Sequence, residues 1–470
     1  MFKTLKNAWG LVDLRKKILF VLFILLVYRI GTVIPVPFVN ADRFAETFGN
    51  TIFSYMDILS GGSLSQATLF ALGISPYITA SIVMQLLAVA IPALERMSSS
   101  EDGKKKINNI TRFVTIALAI LTAIGYYALL SANGMLDTVA TRSSGSKLWI
   151  LYAACIVVCF CAGAALVMWL AEKINENGLG NGISLILFAN IISRLPSICI
   201  RMYEVIHTAA ISNTSPGKKL AVAIPFVVLT IAFMVGMTVF IVFITGSERR
   251  IPVQYAKRVV GRKMYGGQSQ NLPIQLNMSG VMPVIFASSI LSIVPTILTL
   301  IGKNASSTGF AGALYRFFNT DGWFYPVMLF ILIIAFAYFY ITISFNPIEV
   351  ANNLKKNGGT IPGIRQGRPT SEYIQRILSR VTLMGALFLS IIAILPIIAN
   401  PLVVSPVIRY VYSDAIAGMS ESYINNFVSY MSSSFTFGGT SILIVVGVAL
   451  ETTRELESQM TMRNYKGFLD

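Results

Sequence analysis

The chain has 470 residues, of which 55% are apolar and only 12% charged, and its 37 Lys and Arg against 21 Asp and Glu give a formal charge of +16. Soluble domains carry roughly twice that charged fraction, and a chain this apolar in water would expose large adhesive patches. Lipid is therefore the expected solvent, and no stretch reads as an independent water-soluble domain.

Charge-free stretches of about twenty residues alternate with short polar segments. They predict spans near 18–38, 74–92, 113–131, 148–171, 182–200, 220–245, 279–301, 324–345, 381–399 and 430–450. Each approaches the length that crosses ~30 Å of hydrocarbon. The expected fold is an all-α polytopic bundle of ten transmembrane helices. The first apolar run follows a basic segment, as a signal sequence does. No small-residue cleavage site follows it, and Pro35-Val-Pro37 closes it, so it reads as an uncleaved span. Region 52–73 is apolar but is broken by Ser60-Gly61-Gly62 and is not counted.

Assigning the segments between spans to alternate sides puts 26 Lys and Arg on the side of the N-terminus and 10 on the other. The positive-inside rule then places both ends in the cytoplasm. Cys155, Cys159, Cys161 and Cys199 fall in or near spans and read as small buried hydrophobes. The single histidine, His207, is predicted in an external loop, so a His-containing metal site is not expected and no cofactor is implied.

The two halves echo each other. Gly73-Ile-Ser-Pro-Tyr-Ile-Thr-Ala-Ser81 aligns without gaps to Gly280-Val-Met-Pro-Val-Ile-Phe-Ala-Ser288, with Gly, Pro, Ile, Ala and Ser at the same offsets. The first copy opens span two and the second opens span seven, five spans later and running the opposite way. That is the pattern of an inverted five-plus-five repeat, with halves 1–205 and 206–470 and a working site at their interface. Two cytoplasmic segments exceed what a connection needs. In 247–275, the alternation Ile251, Val253, Tyr255 and the turn at Gly261 predict a β-hairpin with a basic tip. Segment 347–372 reads as a turn-rich basic loop.

The spans lack ionisable residues in their central turns; Arg29 and Arg194 sit near span ends, from which a long side chain can snorkel. Ion-coupled transport needs buried Asp, Glu, Lys or His, and intramembrane proteolysis needs a Ser–His pair or two Asp, so neither is expected. No nucleotide-binding motif is present, and the chain does not read as an enzyme. What remains is a passage closed by apolar side chains or a protein that handles lipid. Ile74 and Ile78 share one helix face, as do Ile183 and Leu187, and Ile285 is the repeat partner of Ile78.

Several long ungapped strings resemble the SecY family of bacterial protein-conducting channels. They are Leu59-Ser-Gly-Gly-Ser-Leu64, Phe70-Ala-Leu-Gly-Ile-Ser-Pro-Tyr-Ile-Thr-Ala-Ser-Ile82, Gly178-Leu-Gly-Asn-Gly-Ile-Ser184 and Gly280–Ser289. The loop containing Phe345-Asn-Pro347, Asn352-Asn-Leu-Lys-Lys356 and Pro362-Gly-Ile-Arg365, together with Phe437-Gly-Gly-Thr-Ser-Ile-Leu-Ile444, completes the set. The resemblance implies an hourglass pore with a ring of Ile74, Ile78, Ile183, Leu187, Ile285 and Ile444, where Leu187 departs from the more usual isoleucine. It implies a plug helix over 60–72, including Gly61, Gly62, Leu64, Leu69, Phe70 and Leu72. Spans two and three against seven and eight would form a lateral gate for signal sequences and apolar segments. The basic loops would dock the ribosome, through the phosphates of its RNA, or the motor ATPase SecA. The residues concerned are Arg249, Arg250, Lys257, Arg258, Arg262, Lys263, Lys355, Lys356 and Arg365. Smaller subunits SecE and SecG are implied by the same resemblance, as are unfolded preproteins as cargo. Set against this reading are a lipid scramblase or small-solute facilitator with an apolar path, and a docking receptor for ribosomes.

Overall fold

A computed structural model describes residues 8–39, 60–98, 100–132, 134–136, 149–211, 216–255, 258–260, 263–265, 269–300, 309–318, 322, 324–413, 424, 428 and 439–466. The helices in chain order are α1 (Val12–Gly31), α2 (Ser75–Ala90), α3 (Pro92–Ser98), α4 (Glu101–Ala132), α5 (Trp149–Asn177), α6 (Gly182–Ser193), α7 (Leu195–Ile211) and α8 (Pro216–Gly246). They continue as α9 (Met282–Leu300), α10 (Phe310–Phe318), α11 (Phe324–Ser344), α12 (Pro347–Lys356), α13 (Arg368–Ala399), α14 (Ser405–Val411) and α15 (Gly439–Lys466). Each predicted span overlaps at least one helix among the described residues. The long apolar helices around 101–131, 149–177, 182–211, 219–246, 324–356 and 368–411 meet the length and composition needed to cross a membrane, while Ser75–Ala90 and Met282–Pro295 are apolar but shorter.

The boundaries differ where local chemistry dictates. Span one begins earlier and stops at Gly31, because Pro35 and Pro37 cannot donate the hydrogen bonds that a continued helix needs. Span five is broken at Arg194, where Pro196 removes the donor that would reach the carbonyl of Ile192. Span ten starts at Gly439, and the predicted residues 430–438 lie outside those described. Cys155 and Cys199 are exposed rather than buried, and all four thiols are free.

The echo between the halves extends to backbone geometry. Gly73 and Gly280 both take left-handed φ values, +55° and +64°, which turn the chain into α2 and α9. Pro76 and Pro283 each occupy the second position of their helix, where the absent N–H leaves no bond unmade. The first bonds match as well, Ile78 N donating to Ile74 O at 3.0 Å and Ile285 N to Val281 O at 3.2 Å. Helix α9 lies against α2, α4 and α11, and α15 runs between α6, α8 and α13. Their shared core gathers apolar side chains from both halves.

The two basic segments form one body. Strand β1 (Glu248–Tyr255) pairs antiparallel with β4 (Ser269–Gln275) on one edge and with β5 (Gly359–Thr360) on the other. Between them, β2 (Arg258–Val260) and β3 (Lys263–Tyr265) pair antiparallel, as the predicted hairpin requires, while its tip at 261–262 lies outside the described residues. Ile251, Val253 and Ile274 turn inward onto Ile341 of α11 and Ile374 and Leu378 of α13. The loops are thus welded together, which their separate patterns did not reveal.

Helix α6 is short and depends on its start. Asn181 Oδ1 accepts from Ile183 N at 3.0 Å and Ser184 N at 3.4 Å, a side-chain N-cap. Asn181→Ala is expected to cost about 1 kcal/mol. Thermal unfolding of the purified protein in detergent, compared with wild type, measures this; an unchanged midpoint would mean that tertiary contacts alone position the helix.

Candidate functional site

The six branched apolar residues expected at the ring stand on four helices. Ile74 and Ile78 come from the entry and first turn of α2, Ile183 and Leu187 from α6, Ile285 from α9 and Ile444 from α15. Ile74, Ile78, Leu187, Ile285 and Ile444 are buried in a single cluster, and the half-buried Ile183 packs against it. Apolar side chains of this kind offer a polar solute no hydrogen-bond partner.

Residues 60–72 sit beside the cluster but are not the helix expected. From Gly61 to Ile74 the chain runs through consecutive turns, interrupted by an isolated bridge between Pro35 and Thr68. The cause is local. Gly61 and Gly62 have φ of +71° and +91°, and Ala67 is held at +46°, all incompatible with a right-handed helix. Serine and threonine hydroxyls take up the freed carbonyls: Ser63 Oγ donates to Ser60 O at 2.9 Å, and Thr68 Oγ1 to Ser63 O at 3.2 Å.

This turned segment is packed into the bundle from several sides. Leu69 N donates to Ile34 O at 2.9 Å, and Val36 N to Ala67 O at 3.2 Å. The Tyr126 hydroxyl of α4 donates to Leu64 O at 2.6 Å. Tyr28 of α1 stacks on Phe70 with ring centroids 5.5 Å apart and planes 11° apart. A Cβ on Gly163 of α5 would overlap the Leu69 carbonyl, and one on Gly31 would overlap the Phe70 ring. Leu64 and Phe70 are buried, while Leu69 and Leu72 are half-buried.

Arg29 does not snorkel outward. Its Nη1 is buried, and it lies 3.2 Å from the point where a Cβ on Gly61 would sit, with Asn190 Oδ1 of α6 at 2.9 Å from the same point. Asn190 is fully buried. Reading the sequence missed Tyr28, Gly31, Tyr126, Gly163 and Asn190 as neighbours of 60–72. A single amide within the apolar run of α6 was the one available signal.

Arg249, Arg250, Lys355, Lys356 and Arg365 are exposed around the β1–β4–β5 sheet. Arg250 Nε pairs with Glu248 at 2.7 Å, and Arg365 lends only its carbonyl, to Thr370 Oγ1 at 2.8 Å. Arg258 and Lys263 lie in the hairpin strands, while Lys257 and Arg262 fall outside the described residues. No group of His, Cys, Asp and Glu able to hold a metal ion occurs among the described residues.

The SecY family model matches residues 68–453. The protein translocase subunit SecY of Streptomyces coelicolor is 41% identical over 480 residues, covering 100% of both chains. The chain belongs to the SecY family. Its fold is also that of solved channels at lower identity. A SecY whose plug domain stabilises the closed state of the translocation channel and maintains a membrane seal superposes with a TM-score of 0.57, at 16% identity over 94% of this chain and 92% of that one. Sec61 of the canine ribosome–channel complex from the endoplasmic reticulum gives 0.54, at 17% identity over the same shares. The family thus provides a frame for the apolar cluster and the segment seated beside it.

Close approach at Gly163 leaves no space for a side chain. Gly163→Ala is expected to force the Leu69 backbone away, at about 1–3 kcal/mol for overpacking. A lower thermal midpoint than wild type is the expected result; an unchanged midpoint would mean that the 60–72 segment yields freely.

Proposed function

We propose that this chain is the pore subunit of a protein-conducting channel in the bacterial plasma membrane, multi-pass with both termini cytoplasmic. It would pass unfolded secretory polypeptides across the membrane and release apolar segments sideways into lipid. The reading is supported by membership of the SecY family and by the one buried apolar cluster that holds Ile74, Ile78, Leu187, Ile285 and Ile444, with Ile183 packed against it. A ring of branched aliphatic side chains deforms around any passing residue and holds none by hydrogen bonds. When closed, it denies ions a hydrated path.

In this reading, residues 60–72, with Gly61, Gly62, Leu64, Leu69, Phe70 and Leu72, are the plug. The two halves, 1–205 and 206–470, are clamped around the ring. The seam between α2 and α4 on one side and α9 and α11 on the other is the lateral gate, and contact of α9 with α2 and α4 corresponds to its shut form. The gate needs no sequence recognition, because an apolar segment gains about 0.3–0.6 kcal/mol per Leu, Ile, Phe or Val by entering lipid.

The sheet-bearing loops supply the docking surface. Arg249, Arg250, Lys257, Arg258, Arg262, Lys263, Lys355, Lys356 and Arg365 suit the phosphates of ribosomal RNA without reading bases, and equally an acidic face of SecA. SecE and SecG are the proposed partner subunits. Energy for transport comes from SecA or the ribosome.

Reconstituted vesicles test the reading. With SecE and SecG present, a signal-bearing precursor is expected to enter only when SecA and ATP are added. Lipid flipping without any precursor movement would sink the proposal in favour of a scramblase. Replacing Ile78 and Ile285 together with Gly removes two branched side chains from the ring and is expected to raise the resting ion leak. An unchanged resting conductance would argue against the ring.

A further inference from the structure

Sealing a pore with a turned segment requires something to hold that segment in place. The described hydrogen bonds from 60–72 to the rest of the bundle reach the stretch after α1 and, through Tyr126, α4. Tyr126 is 2% exposed and its ring packs edge-on to Phe160 with centroids 5.0 Å apart, so the hydroxyl is aimed at Leu64 O by a fixed ring. Tyr28 is 0% exposed and presents its face to Phe70, the residue that joins the plug to the buried cluster containing the ring. Both tyrosines stand on helices of the first half.

We propose that Tyr126 and Tyr28 are the positioning residues that keep the plug seated, Tyr126 by its hydrogen bond to the Leu64 carbonyl and Tyr28 by stacking on Phe70. This rests on the channel reading above. The closed seat is a two-state element, and each tyrosine biases it by interactions that exist only when the plug is in. Losing the Tyr126 hydroxyl leaves a buried carbonyl without that donor in the closed state, whereas a displaced plug presents the same carbonyl to water. The equilibrium therefore shifts towards release. Because both residues belong to the first half, moving α9 away from α2 does not by itself break either contact.

The test uses the full chain with SecE and SecG in planar bilayers and vesicles, with resting conductance expressed per assembled channel. Tyr126→Phe keeps the ring against Phe160 and removes only the hydroxyl; Tyr28→Leu keeps an apolar side chain and removes the stack. Each is expected to raise the resting conductance about tenfold, equivalent to ~1.4 kcal/mol of seat stability. Each should also admit a precursor whose signal segment is interrupted by a charge. Tyr338→Phe removes a hydroxyl that donates to Ser379 O of α13 at 3.1 Å, on the flank of α11 that meets α13 rather than α2 or α4, and is expected to leave conductance as in wild type. If wild type transports a normal precursor but both tyrosine variants keep its conductance and its signal requirement, the seat proposal is overturned. A change in one variant alone overturns the role of the other. An equal rise with Tyr338→Phe would overturn it too, by showing general loosening. Failure of wild type to transport any precursor would instead count against the channel reading.

Discussion

In a bilayer, apolar burial does not drive helices together, since lipid is as apolar as a leucine side chain, and backbone polar groups must be satisfied within the protein. Non-helical backbone is tolerated inside such a bundle only where other protein groups complete its hydrogen bonds. The segment 60–72 depends on that constraint. Its turns leave carbonyls and N–H groups that Ile34, Val36, Tyr126 and neighbouring hydroxyls take up. The glycines at 31 and 163 let the bundle approach closely enough for those bonds to form.

The same constraint explains what could be read from the chain in advance. Helical spans announce themselves because intrahelical bonds solve the backbone problem locally and apolar side chains suit lipid, so composition alone locates them. The Gly–Pro echo was legible because two residue types with unusual backbone rules recur at one offset, and both glycines adopt left-handed φ. The ring residues were legible as paired faces on single helices, but their convergence came from resemblance. The seat of 60–72 was hidden. Its contacts join residues far apart in sequence, such as Tyr126 and Leu64, and a tyrosine or glycine in a span carries no mark of the backbone that it will touch. The helix expected over 60–72 does not form for a local reason, since Gly61 and Gly62 adopt left-handed φ and turn the chain rather than merely interrupting a helix.

In the proposed channel, an uncharged ring and a charged sheet divide the labour. A charged group at the proposed ring would hold a passing polypeptide and conduct ions, which is the reason that aliphatic side chains suit it. Basic groups on an exposed sheet attract an anionic surface at little desolvation cost, because they remain in water. Exposed Arg249, Arg365 and Lys355 meet that condition without any buried counterion.

Helix α15 spans the distance between these two regions. It carries Ile444 in the buried cluster and, ten residues on, Arg454, about 15 Å further along the axis. Arg454 Nη1 donates to Gln275 Oε1 of β4 at 2.8 Å, and Nη2 to Thr245 O at the end of α8 at 2.6 Å. One residue later, Glu455 Oε2 accepts from Gly180 N at 2.9 Å, in the turn that leads into α6 with Ile183 and Leu187. Neighbouring side chains of one helix thus tie it to the sheet and to the end of α8 on one side, and to the turn before α6 on the other. Lys at position 454 would keep the charge but lose the fork, which is why the geometry here favours arginine.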